Sequence, residues 1–306
     1  MWNVITVLLG VFDHGFGDDD KIWGGRNAKH GEFPFAVFIT GNLFCGGGLL
    51  TLDKIVSAGH CFVQWDEKGK KVELDLKRTI VIGGMVNYLK RNLAYQQTTI
   101  RLFKMHDNYR KRKDGSYYHD VAVAKLNESF LETLTLKRMP IPQGGKSEFK
   151  RHWDRLVASG NKCYAMGWGT TAKGGTEPSP SMMVIQVALW SEQKCKETAW
   201  DPEDSVTKFG EVCASSVETG ETFCDGDSGS PLYCDGYVYG LATANWECGN
   251  TVLPQYFLLF WHYLDLMAVN LDNSAIDIHF EVRLILIPVV VFFTQKEHKR
   301  FKIFVN

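Results

Sequence analysis

Three short segments, far apart in the chain, hold residue types that combine into one chemistry. SAGHC (Ser57–Cys61) brings His60, HDVAVAKL (His119–Leu126) brings Asp120, and CDGDSGSP (Cys224–Pro231) brings Ser228. A serine hydroxyl is a weak nucleophile until a neighbouring imidazole takes its proton, and that imidazole must be held in one tautomer by a buried acceptor. Serine, histidine and aspartate together meet these needs, although each alone is more often structural. Their contexts carry the argument. Ser228 sits in a glycine-flanked turn, Asp120 heads an apolar strand and His60 adjoins a cysteine.

The elements that must position these residues read as strands. Between Phe33 and Leu241 the apolar runs are short and rich in Val, Ile, Leu and aromatics (FAVFIT, KIVSA, RTIVIGG, DVAVAKL, YAMGWG, MVIQVALW, YVYGLATA), punctuated by Gly, Pro, Asn and Asp. That spacing predicts an all-β sandwich or barrel. A helical period emerges only over Tyr256 to Met267, read as a terminal helix packed by one face. The polar, Gly-rich stretch Gln143 to Lys162 reads as the linker between domains.

The 306 residues are 45% hydrophobic with a formal net charge of -1, enough chain for one large or two modest domains. Near neutrality gives no electrostatic reason to expect nucleic acid. Eight cysteines (Cys45, Cys61, Cys163, Cys195, Cys213, Cys224, Cys234, Cys248) contain no C-x-x-C pair, which suits disulfides and an oxidising compartment. Spacing alone cannot choose among the roughly 105 pairings they allow. Trp2 to Phe12 has the length of a signal-peptide core, so residues 1–17 read as a signal peptide. After Asn270 the chain changes character. Leu284 to Phe293, with Pro288 in its middle, is too short for a membrane helix, so 270–306 is left as a tail of unknown structure with no membrane anchor expected.

The motifs resemble those of the chymotrypsin-like, or trypsin-like S1, serine peptidases over Ile22 to Met267. The family's CGGSLI stands as CGGGLL at Cys45–Leu50, TAAHC as SAGHC at Ser57–Cys61 and DIALLKL as DVAVAKL at Asp120–Leu126. GWG is intact at Gly167–Gly169, and GDSGGP stands as GDSGSP at Gly226–Pro231. The order matches as well as the motifs.

The resemblance implies an all-β fold of two six-stranded antiparallel β-barrels, about 22–142 and 150–256, with a terminal helix about 256–268, in a peptidase domain of 22–269. It implies that His60 is general base and acid, Asp120 its orienter and Ser228 the nucleophile, with the N–H groups of Gly226 and Ser228 as oxyanion hole. Thr243 occupies the place of a serine that supports the triad aspartate. The implied disulfides are Cys45–Cys61, Cys163–Cys234, Cys195–Cys213 and Cys224–Cys248. No cofactor or metal is implied.

The resemblance also reads GDDDKIWGG (Gly17–Gly25) as an activation site, with residues 18–21 as activation peptide. Cleavage after Lys21 would free Ile22, whose ammonium pairs with Asp227. An enteropeptidase-like or trypsin-like protease suits the DDDK run. Specificity departs from trypsin: the pocket base is Thr222 where trypsin-like enzymes carry aspartate, and Asn245 and Gln255 would narrow the slot. Small or polar uncharged residues before the cut are therefore expected. Arg110, Lys111, Arg112 and Lys113 form a basic run, read either as a solvated loop or as a lure for acidic substrate residues. Asn127 heads an N-x-S glycosylation sequon. The expectation is a secreted, monomeric serine endopeptidase zymogen acting on protein or peptide substrates and open to protein inhibitors. A catalytically silent homologue that binds partners through the same fold is the alternative.

Overall fold

The structure is a computed structural model and describes residues 25–113, 115–197, 206–245 and 248–272, with the side chains of 206 and 207 excepted. The expected signal peptide, activation peptide, Lys21 and Ile22, and the tail from 273 onward lie outside the described residues.

The apolar runs become strands because each is β-branched or aromatic and must bury one face or both. The strands of the first barrel are β1 (Ala36–Thr40), β2 (Cys45–Thr51), β3 (Lys54–Ser57), β4 (Ile80–Gly83), β5 (Gln96–Met105) and β6 (Ala122–Leu126), of which β1, β3, β4 and β6 come from those runs. They close into a barrel in the order β6-β3-β2-β1-β4-β5, antiparallel throughout, with β5 pairing back to β6. Val37, Ile39, Leu49, Ile55 and Ala124 are fully buried in it.

A second set comprises β7 (Cys163–Gly167), β8 (Met183–Leu189), β9 (Glu211–Ser216), β10 (Pro231–Cys234), β11 (Tyr237–Asn245) and β12 (Gln255–Leu259). Its order is β8-β7-β10-β11-β12-β9, and the pairing of β9 with β8 closes it. The short strand Arg26–Asn27 adds to the outside of β8. Two closed six-stranded antiparallel barrels therefore stand where the strand spacing asked for sandwich or barrel. The Trp168 indole N–H donates to the Val86 carbonyl at 2.9 Å, tying one barrel to the other.

Two expectations are corrected. Within Gln143 to Lys162 lies the 15-residue helix α1 (Gly145–Ser159), bounded by Gly144 and Gly160 in left-handed conformation. Its buried residues Phe149, Trp153 and Leu156 fall at helical spacing, and the first two rings pack against Tyr239 of β11 at 5.4 Å. The terminal helix expected over 256–268 is mostly another structure. Gln255–Leu259 is strand β12, every residue buried, followed by a 3-10 turn at Phe260–His262 and a four-residue α-helix at Leu264–Met267. A run apolar on all sides fits a strand buried on both faces as well as a helix, and closing the barrel decides the matter.

Candidate active site

Each candidate catalytic residue is set by a different element. His60 lies on the 3-10 turn Gly59–Cys61 that follows β3, and the Cys45–Cys61 disulfide clamps that turn to the start of β2. Asp120 ends the chain's approach to β6, directly after His119, whose φ of 51° makes the turn. Asp120 is 1% exposed, and its two oxygens both bond to His60: Oδ1 accepts from the backbone N–H at 2.8 Å and Oδ2 meets Nδ1 at 2.6 Å. A carboxylate only accepts, so Nδ1 carries the hydrogen and Nε2 of the neutral ring is left as an acceptor. Burial favours the neutral ring, but the Asp120 charge and hydrogen bond outweigh it and hold His60 above the usual imidazole range.

Ser228 reaches the same cleft because its loop is docked on the first barrel. Its carbonyl accepts from Gly46 N–H at 2.8 Å, and the Gly229 N–H donates to Ala242 O at 2.7 Å on β11. The fit leaves no room for larger residues. A Cβ on Gly46 would come within 2.1 Å of Ser230 Oγ, and one on Gly229, where φ is +81°, within 2.1 Å of Ser57 Oγ. The glycines of CGGG and DSG are thus what lets Ser228 and His60, from separate barrels, share one cleft of about 520 Å³. Among the described residues, neither the Gly226 nor the Ser228 N–H donates to a backbone carbonyl, and both residues line the cleft.

Asp227, next to Ser228 in the cleft lining, is 1% exposed. Its Oδ1 accepts from Gly169 N–H at 2.8 Å and its Oδ2 from Cys224 N–H at 3.1 Å. Burial pushes its carboxyl up to about 7, and the two amides pull only partly against that. The disulfide Cys224–Cys248 anchors the start of this loop. Cys163–Cys234 and Cys195–Cys213 complete the four pairs the resemblance implied. Among the described residues, Cys45, His60 and Cys61 form a close group of potential metal ligands, but the two cysteines are oxidised and offer no thiolate.

The comparisons with known proteins agree with this geometry. The family model described as Trypsin matches residues 22–267.

The chain belongs to the trypsin family.

It is a chymotrypsin-like serine endopeptidase. Relatives include human serine protease 1, 24% identical over 267 residues (85% of this chain, 94% of the relative), and a trypsin of Xenopus laevis, 27% identical over 252 residues (82% and 90%). Among solved structures, human heparin binding protein and mouse neuropsin share the fold, with TM-scores of 0.61 and 0.62. Each is 22% identical, and the matches cover 82% and 79% of this chain and 97% and 96% of theirs.

Of the pocket candidates only Asn245 lines the cleft, and Thr243 makes a different bond from the one expected. Asn245 lines the cleft, and its side-chain N–H donates to the Phe223 carbonyl at 2.5 Å, bridging two walls. Thr222 is buried and its hydroxyl accepts from Gly249 N–H at 2.8 Å, so it lies behind the lining. Gln255 does not line the cleft. It is the strand neighbour of Tyr256, which does, and alternation along β12 sends the two side chains to opposite faces. Thr243 lines the cleft but donates to Tyr256 O at 3.4 Å and not to Asp120, because the β11–β12 register shifts between Ala242 and Ala244.

The basic run is neither a solvated loop throughout nor a uniform charge lure. Arg110–Lys111 pairs with Tyr117–Tyr118 as a hairpin. Arg112 turns inward, its side chain 10% exposed, to meet Glu211 of β9 at 2.6 Å, and the guanidinium lies 4.3 Å over the Tyr118 ring. This ion pair joins the barrels at the edge of the cleft and was missed, since nothing in the sequence spacing links residues 112 and 211. His119 was also missed. Its Nδ1–H donates to Tyr263 Oη at 3.0 Å, and that hydroxyl donates onward to Phe209 O at 2.7 Å, fixing the residue just before Asp120. Asn127, the sequon residue, is exposed and bonds Thr99 Oγ1 through Nδ2.

Proposed function

We propose that His60, Asp120 and Ser228 are the catalytic triad of a secreted endopeptidase acting on protein or peptide substrates. The observation that carries this reading is the two-point contact of Asp120 with His60 in a cleft shared with Ser228. His60 Nε2 takes the proton as Ser228 Oγ attacks the scissile carbonyl, then gives it to the departing amine. Water reverses the sequence on the acyl-enzyme. The N–H groups of Gly226 and Ser228 receive the oxyanion, and each such donor is worth about 2.7–4 kcal/mol in the transition state.

Activation follows cleavage after Lys21 by a trypsin-like or enteropeptidase-like protease. The buried Asp227 carboxyl supports this step, because a new ammonium at Ile22 is the group that would relieve it. The Asn245–Phe223 bridge supports small or polar uncharged residues before the cut, since a long basic side chain finds no carboxylate at Thr222.

The test is hydrolysis of a peptide library by the activated chain. Asp120→Asn is expected to lower kcat by the roughly 10⁴-fold typical of this triad chemistry, because the amide permits the wrong tautomer. Ser228→Ala is expected to abolish acyl-enzyme formation. Wild-type chain that hydrolyses nothing and labels with no fluorophosphonate would instead favour the silent binding homologue.

A further inference from the structure

His60 is held by more than Asp120. The Tyr117 ring lies nearly parallel to its imidazole, with centroids 5.5 Å and planes 18° apart. Tyr117 in turn stacks on Tyr109 at 5.3 Å and 17°. Tyr109 is 7% exposed, and hairpin pairing with Lys111 fixes the backbone of Tyr117, so the ring has a rigid mount. Tyr117 also lines the cleft beside His60 and Ser228.

We propose that Tyr117 is a positioning residue for His60: its ring face keeps the imidazole in the plane that bonds Asp120 and stabilises the imidazolium formed when Ser228 gives up its proton. An aromatic face carries negative quadrupole charge and attracts a cation within about 6 Å of its centroid, whereas a neutral ring gains only the stacking contact. The attraction therefore grows as the proton moves onto His60, which is the condition for lowering a barrier rather than merely tightening a complex. The inference rests on the triad reading above, and it uses the ring face and not the phenol hydroxyl.

The test compares activated wild type, Tyr117→Phe, Tyr117→Leu and a chain with pentafluorophenylalanine at 117, which keeps the ring shape but reverses its quadrupole. Tyr117→Phe is expected to stay within about twofold of wild type. Tyr117→Leu and the fluorinated ring are expected to lose roughly tenfold in kcat, with the acid limb of kcat/KM moved to lower pH as the imidazolium loses its support. Should Tyr117→Leu fold poorly, the fluorinated ring alone decides. A change confined to KM, with kcat and the acid limb unmoved, would make Tyr117 a substrate wall and overturn the inference. Failure of the triad reading is distinguishable, because wild type itself would then show no Ser228 labelling.

Discussion

In the chain that has not been cut after Lys21, the Asp227 carboxyl is buried and titrates near 7 against an ordinary 3.8. A folded-state pKa above the unfolded one means that the folded chain holds a proton which the unfolded chain releases. Stability from this group is full below about pH 3.8 and is lost as pH rises through about 7. Over that span of roughly three pH units the loss is on the order of 4 kcal/mol. Asp227→Asn removes the titration while nearly keeping the shape. The assay is urea unfolding of both uncleaved chains between pH 4.5 and 8, with Lys21→Gln to block cleavage. The wild-type midpoint is expected to fall relative to the variant as pH rises. If cleavage brings the Ile22 ammonium to the carboxylate, as proposed above, the relative fall should vanish or change sign after cleavage. A wild-type and variant difference that is flat with pH in the uncleaved chain would mean that Asp227 is not protonated on folding.

Gly229→Ala places a methyl at φ +81° against Ser57 Oγ and Gly46 O, costing about 1–2 kcal/mol for the backbone and about 1–3 for overpacking. Calorimetry should show the lower Tm, and fluorophosphonate labelling should fall with it as Ser228 shifts. Arg112→Met leaves Glu211 buried without the guanidinium and is expected to cost about 3–5 kcal/mol by urea unfolding, most of it recovered in the double variant Arg112→Met with Glu211→Leu. The Ser230 hydroxyl, which stands where the family has glycine, is buried with no hydrogen-bond partner among the described residues. Ser230→Ala should therefore raise the unfolding midpoint by the equivalent of about 1 kcal/mol, and a clear fall would show that the hydroxyl is satisfied.

Seven of the barrel strands, β1, β3, β4, β6, β7, β8 and β11, were legible because each gathers β-branched or aromatic residues between Gly, Pro, Asn or Asp boundaries. His60, Asp120 and Ser228 were legible through their motifs. Their convergence was not, since it depends on the docking of the Ser228 loop against Gly46 and Ser57, a contact across 182 positions of sequence, from 46 to 228. Helix α1 was hidden by its own flanks: Pro142, Gly144, Gly145 and Gly160 announce a loop, while Phe149, Trp153 and Leu156 carry the weaker helical signal. The run at Tyr256–Leu259 failed the opposite way, because four consecutive apolar residues suit a strand buried on both faces as well as a turn of helix. Gln255 was assigned to the cleft by motif position, yet strand alternation gives that place to Tyr256. Arg112 and Glu211 carried no local signal at all. Their pairing is a property of how the two barrels meet.

On the proposed activation, Ser228 becomes a reactive nucleophile when a new N-terminus at Ile22 is released. The most direct measurement treats the full chain with enteropeptidase or a trace of trypsin and follows N-terminal sequence and fluorophosphonate labelling together, with Ser228→Ala and His60→Ala as controls. Labelling that maps to Ser228, rises in step with the Ile22 N-terminus and is absent from both controls is the predicted result. Ile22 released in full while Ser228 stays unlabelled would contradict the account.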